Sequence, residues 1–326
     1  MSYTNGLDNP ELYFQTKLYT GNSGTNAITF DGSENMQPDF VWLKRRDSGS
    51  NNHRLCDSVR GVNKQLYSSS NGAEGTSSGV VQSFDSNGFT LNTSDSSVNV
   101  GSYVCWNWKK QAGIFDIVSY TGNGSGRTIS HNLGSVPSFM IVKNRDAARS
   151  WNVYFGDPTD YIYLNDTAAA ADYNEIWNDT APTASVFSVG TDNGVNQSSE
   201  KYIAYLFGNK QGVSSAGTYQ GNGSSSGAYI HLGFSASWFM LKKTNATDDW
   251  HIFDNKRNTS NVVDENLRAN LSSGEFDTGV DLDFLSNGVK LRNTDDNGNG
   301  SGDTYIYLAF AENPFVTSTG IPTTAR

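Results

Sequence analysis

The sequence is short of proline, cysteine and charge. Seven prolines and two cysteines occur in 326 residues, and Asp, Glu, Lys and Arg together make up 17%. Two cysteines, Cys56 and Cys105, cannot build a disulfide framework, so both are expected to be reduced and buried. No Lys/Arg-rich run offsets the formal net charge of −10. Affinity for nucleic acid rests on neutralising phosphates, so nucleic acid is not an expected partner. No apolar stretch approaches the roughly 18 residues of a membrane helix, and membrane insertion is not expected. The opening "MSYTNGLDNPELYF" has no basic segment followed by an apolar one, so no signal peptide is expected. A sustained 3.6-residue apolar period is missing too. Only "TAAAADYNEIW" and "NVVDENLRANL" suggest helix, each of one to three turns.

Glycine, with 33 residues, and aromatic side chains, at 12%, are what the chain has in quantity. They recur in a fixed order. "LYTGNSG" at Tyr19 returns as "YTGNGS" at Tyr120 and "YQGNGS" at Tyr219. Apolar runs closing on lysine follow, "FVWLK", "FMIVK" and "WFMLK", with Lys44, Lys143 and Lys242 spaced 99 residues apart each time. "HRLCD", "SWNVYFGD" and "DWHIFD" come next, and each unit ends on "YVCWNW", "YIAYLF" or "YIYLAF". Between these, "FDSNGFTL" at Phe84 returns as "FLSNGVKL" at Phe284. Five blocks recurring in one order define three copies of a unit of about 100 residues. The predicted boundaries are an arm over 1–12, units over 13–110, 111–212 and 213–315, and a tail over 316–326.

Short alternating runs between polar turns predict an all-β chain, each unit a β-sandwich or jelly roll with its own core. Stacked end to end, three such units would make a rigid rod. Asn123-Gly124 reads as a type I′ hairpin turn. A phosphate loop is excluded there, since neither the lysine nor the helix it needs follows. Trp106, Phe207 and Phe310 are expected to be buried core residues at equivalent positions of the three units.

Candidate sites are few. Six of the seven tryptophans match apolar residues or one another across the copies and read as core. Trp177, in a segment peculiar to the middle copy, has no counterpart and is the candidate surface aromatic for binding. "DDNGNGSGD" supplies Asp295, Asn297 and Asn299 at calcium-loop spacing, but position twelve is Ile306 where the bidentate glutamate belongs. It reads as a hairpin loop. The four histidines lack metal-ligand spacing, and no cofactor is implied. Asp57 with Arg60, and Asp254 with Arg257, recur as a local ion pair bracing a turn.

The ordered blocks "YTGNGS … P-F-x-x-x-K-x-R … D-S-x-R-G … F-x-S-N-G-F … Y-x-x-x-x-W", with the ending "YIYLAFAENPFVTSTGIPTTAR", resemble a tandem-repeat family of virion structural proteins of tailed, often marine, bacteriophages. The resemblance runs from about Tyr13 to Arg326. It implies a non-enzymatic virion component made in the bacterial cytoplasm, a tail fibre, spike or adhesin that contacts the host surface. Capsid decoration is the alternative, and a polysaccharide-degrading tailspike the second. Expected partners are other virion proteins, a host-surface glycan or protein, and further copies of the chain in a homo-oligomer, a trimer by analogy with phage appendages. The arm and the tail have too few apolar side chains for a core, so they are expected to be either disordered or ordered by a partner.

Overall fold

A computed structural model describes residues 7–322. The chain is all-β, built from antiparallel sheets, and among the described residues helix is limited to single turns at Pro10–Leu12, Asn174–Trp177 and Asp296–Asn299. The first of the two expected helices shrinks to Asn174–Trp177. The second is a strand, Val263–Arg268, held between Trp250–Asp254 and Phe276–Leu285, with Val263 in the third unit's own core and Leu267 in the core shared by all three.

Three sheets share one plan. In each, a first strand pairs with a closing strand, the closing strand pairs with the lysine strand, and that pairs with a fourth. The first set is Phe14–Thr20, Ser102–Trp108, Phe40–Arg45 and Arg54–Asp57. The second is Phe115–Thr121, Lys201–Gly208, Pro137–Asn144 and Asn152–Tyr154. The third is Ser214–Gln220, Thr304–Pro314, Phe234–Lys243 and Trp250–Asp254. In the first two units a smaller sheet backs the main one, containing Thr25–Thr29 with Gly88–Asn92 and Arg127–Ser130 with Val186–Val189. In the third, Val263–Arg268 and Phe276–Leu285 carry the main sheet on into Gly288–Leu291 and Tyr229–His231, so that one eight-stranded sheet folds over to supply both layers.

The lysine and closing strands are apolar on both faces because they lie between two cores. Val41, Leu43 and Cys105 face the first unit's own core, Met140 and Val142 the middle unit's, and Phe239 and Leu241 the third's. The alternate residues all enter one common core. Phe40, Trp42, Trp106 and Trp108 meet Phe139, Ile141, Tyr205 and Phe207, and both sets meet Trp238, Met240, Leu308 and Phe310. The register corrects one expected equivalence. Trp108, not Trp106, matches Phe207 and Phe310, while Trp106 matches Tyr205 and Leu308.

The three units therefore form a ring with approximate threefold symmetry rather than a rod. Its seams repeat. Glu74 N–H donates to Arg145 O, Ala170 N–H to Thr244 O, and Glu275 N–H to Arg46 O, each at 2.8 Å, linking first to middle, middle to third, and third back to first. A second contact goes round in the same sense. Trp151 Nε1 donates to Tyr67 O at 2.9 Å and Trp250 Nε1 to Tyr163 O at 2.8 Å. His53 stands where the others have tryptophan, and its Nε2 reaches Arg268 O at 3.0 Å. Trp42 Nε1 donates to His53 Nδ1 at 2.8 Å, which leaves Nε2 as the protonated nitrogen.

The recurrent glycine-rich turn is not a hairpin. It carries the chain from one sheet of a sandwich to the other, so Phe115–Thr121 and Arg127–Ser130 do not pair. Positive φ falls on a single residue of each copy, Ser23, Gly124 or Gly223, whereas a type I′ turn needs two. The preceding glycine is required by crowding. A Cβ on Gly21, Gly122 or Gly221 would lie 2.1–2.2 Å from backbone of Asn99, Gln197 or Gly300. Beside it a buried asparagine ties the loop together. The Nδ2 groups of Asn99, Asn196 and Asn299 donate to the carbonyls of Gly24, Ser125 and Ser224 at 2.6–2.9 Å. Stacked tyrosine pairs close the module, Tyr19 on Tyr103, Tyr120 on Tyr202 and Tyr219 on Tyr305, at 4.9–5.1 Å.

The described parts of arm and tail are ordered by the chain itself. Pro10 is buried, Leu7 packs against the common core, and Ser318 N–H donates to Asp8 Oδ1 at 2.6 Å. Residues 1–6 and 323–326 of those segments lie outside the described residues.

Candidate functional site

Charged groups concentrate at the seams. Asp57 is fully buried, accepts from Arg60 of its own unit, and accepts from Tyr205 Oη of the middle unit at 2.8 Å. Asp254 repeats the arrangement. It accepts from Arg257 Nε at 2.5 Å and from Trp106 Nε1 of the first unit at 3.0 Å. The recurring D-x-x-R pair thus braces its turn and also welds a neighbour. At the third seam the strand pairing puts Phe155 where the aspartates stand and Leu308 where the donors stand. Both pack in the common core.

Outside each buried pair a glutamate links units. Glu74 accepts from Arg145 Nε at 2.9 Å, with Arg60 at 3.5 Å. Glu275 accepts both arms of the Arg46 guanidinium at 2.6 and 2.7 Å. This second junction opens into a cleft between first and third units, lined by Arg46, Asp47, Glu265, Glu275 and Asp277. Burial alone would raise the Glu275 carboxyl, but hydrogen bonds from Arg46 and the charge of Arg257 bring it below its usual range. Glu265 moves up, through burial and then the Glu275 charge beside it.

Three buried lysines continue the inward face beyond the aromatic layers. Lys44 Nζ donates to Asn51 O at 2.7 Å and to Ser272 O of the third unit at 3.0 Å. Lys143 donates to Asn144 O at 2.6 Å, and Lys242 to Lys243 O at 2.5 Å. Burial lowers all three from an ordinary 10.5, Lys44 to about 8, Lys143 to about 7 and Lys242 to about 8. Between about pH 7 and 10 the unfolded chain therefore binds more protons than the folded one, and stability rises with pH. Below that window the lysines are charged in both states and their contribution is flat. The melting temperature should climb from about pH 7 to 9.5, and Lys143→Met should flatten the lower part of the climb. A level or falling profile would show that these lysines titrate as exposed ones do.

The sequence candidates fall elsewhere. Trp177 is 1% exposed and packs edge-on against Tyr154, 5.9 Å away, inside the middle unit's own core. It lacks a counterpart because it fills a core that the other units fill differently, so it is not a surface aromatic. Asp295 caps the Asp296–Asn299 turn by accepting from Asn297 N–H at 2.9 Å. Asn299 is the buried loop tie of its unit. These residues are spent on local structure, and the loop before the last strand is a helical turn rather than a plain hairpin. Among the described residues, no three His, Cys, Asp or Glu side chains converge as metal ligands would. Cys56 and Cys105 are free and buried, each thiol pushed up to about 12 by burial. Sequence reasoning missed Glu74, Glu275 and Tyr205 as seam residues, and nothing local to their positions marks them.

Fold and seams define a class: an all-β protein of three sandwich units locked in a ring around one aromatic core. Residues 9–314 match the family described as a domain of unknown function, DUF7483, and the chain belongs to that family. No curated protein matches the chain.

Proposed function

We propose that this protein is a non-enzymatic structural component of a bacteriophage virion, an anchored knob of a tail appendage that meets the host surface. One observation carries the reading beyond the sequence resemblance: the ring has two different ends. The first strands run from Phe14, paired with Trp108, to Thr20, paired with Ser102. The arm and tail meet at Asp8 and Ser318, on the Phe14 side. The three glycine-rich turns follow Thr20, Thr121 and Gln220, at the other end of those strands. Such a block can be held from one end while presenting three similar loop sets from the other, where binding residues commonly sit.

The compact ring removes the argument for a shaft and favours a terminal knob. It also lends weight to a second reading, capsid decoration. One chain with internal threefold character can sit on a threefold position without two further copies. As an appendage the knob would instead form a homotrimer docked through its termini. Immunogold labelling of intact virions separates the two, with label at the tail tip for an appendage and over the head for decoration. Absence of the protein from purified virions would overturn both. Light scattering on the full chain and on one starting at Tyr13 should give a trimer that the truncation weakens. A monomer in both cases removes the docking role of the arm. The tailspike reading rests on the Glu265 cleft. It predicts cleavage of host polysaccharide that Glu265→Gln abolishes, and intact polysaccharide after incubation would dispose of it.

A further inference from the structure

The three units differ most where the fourth strand of the main sheet turns a side chain away from the common core. The first unit has Arg54 there, the middle unit Asn152 and the third His251, opposite Leu43, Val142 and Leu241. In the first unit the guanidinium has an aromatic face and a carboxylate, while its Nε is buried without a hydrogen-bond partner among the described residues. Its carbon lies 4.4 Å above the Tyr67 ring centroid, and a terminal nitrogen lies 3.6 Å from Asp95 Oδ2. Stacking on an aromatic face with a carboxylate at the edge suits a planar cation, and an ammonium fits it less well.

The middle unit has a tyrosine and an aspartate at the matching positions and lacks the arginine. Tyr163 follows Ile162 as Tyr67 follows Leu66, and Ile162 and Leu66 bridge matching residues of the fourth strand. Asp192 accepts the same backbone hydrogen bonds as Asp95. Oδ1 of each accepts the backbone N–H two residues on, Gly194 at 2.6 Å and Ser97 at 2.7 Å. The backbone oxygen of each accepts from Asn196 at 2.8 Å or Asn99 at 2.9 Å. Where Arg54 fills the first unit, Asn152 is too short. A cleft lined by Asn152, Tyr163, Asp192, Asn193 and Gly194 stands open, with the exposed Arg149 among its lining residues. Asn152 is 1% exposed, and its Oδ1 is buried without a hydrogen-bond partner.

We infer that this cleft binds a guanidinium group from outside the chain, seated on Tyr163 and paired with Asp192 as Arg54 is seated on Tyr67 and paired with Asp95. The group arrives either on an arginine of another polypeptide or on a free small guanidine. It is independent of the virion reading, since the cleft and its occupied sister are both properties of this chain alone.

The test is a titration of the full chain, followed by the amide resonances of Gly194 and of the Asn152 side chain. The probes are acetylated, amidated arginine and methylguanidinium. Saturable shifts with a millimolar dissociation constant are expected. Binding of the arginine derivative alone assigns a polypeptide source, and of methylguanidinium alone a small molecule. The lysine counterpart should bind at least roughly tenfold more weakly, since it can neither stack flat nor fork. Asn152→Arg should fold normally, place its own guanidinium against Asp192, and abolish binding. Asp192→Asn, checked for an unchanged melting temperature, should also abolish it. No saturation by either probe, or undiminished binding in Asn152→Arg, would overturn the assignment.

Discussion

Asp254→Ala is expected to destabilise the protein by about 3–5 kcal/mol, the usual range for removing one partner of a buried ion pair. The cost has three parts. The turn loses the acceptor of its Lys256 and Arg257 N–H groups, Asp254 Oδ1, at 3.1 and 2.9 Å. Arg257, whose side chain is fully buried, loses its carboxylate and keeps the Ile252 carbonyl at 2.8 Å, a distant Glu275 and the Trp106 ring 5.8 Å away. Trp106 Nε1 loses its acceptor at the seam between third and first units. The third seam fills the same positions without charge, with Phe155 and Leu308 both packed in the common core. A triple variant, Asp254→Phe with Arg257→Met and Trp106→Leu, copies that solution and should recover most of the loss. Replacing a whole buried polar set by apolar groups is often neutral, whereas breaking it is not. Chemical denaturation of the two variants checks this. A single mutant within about 1 kcal/mol of the parent would mean that water reaches Arg257 and that the seam is wet.

Much of the fold was legible because the repeats report on one another. A position reading Trp42, Ile141 and Met240 in three copies must be apolar and inward, and alternation along the closing strands set the two faces. The ring was harder to see. Its signal lay in those faces: a row holding Trp106, Trp108, Tyr205, Phe207, Leu308 and Phe310 is too large to hide within three separate sandwiches whose own cores are already supplied by the alternate residues. The seams themselves leave little trace, since acceptors such as Tyr67 O, Tyr163 O and Arg268 O are backbone atoms that any residue provides. Trp177 misled for a related reason. A residue without a counterpart looks functional when comparison is the only guide, yet an irregular core needs unmatched residues too. The candidate guanidinium cleft became visible only once register showed that Arg54 and Asn152 occupy one place.

The second large effect is expected at Trp108. Its ring lies 4.9–6.4 Å from those of Phe14, Phe40, Phe115, Phe207, Trp238 and Phe310, which come from all three units. It is fully buried, and its Nε1 has no hydrogen-bond partner among the described residues, so its contribution is packing alone. Trp108→Ala should cost about 3–5 kcal/mol, the scale for emptying a large aromatic site. The form of the loss separates a shared core from three independent ones. If the units depend on one another through this core, unfolding stays a single transition at a lower midpoint. Amides of Ser102–Trp108, Lys201–Gly208 and Thr304–Pro314 should then lose exchange protection together. Trp177→Ala removes a ring of the same size from the middle unit's own core and serves as the comparison. It should open Arg127–Ser130 and Val186–Val189 first, leaving the other two units protected until the global transition. Loss of protection in the first unit alone after Trp108→Ala would mean that the three sandwiches stand independently and merely touch.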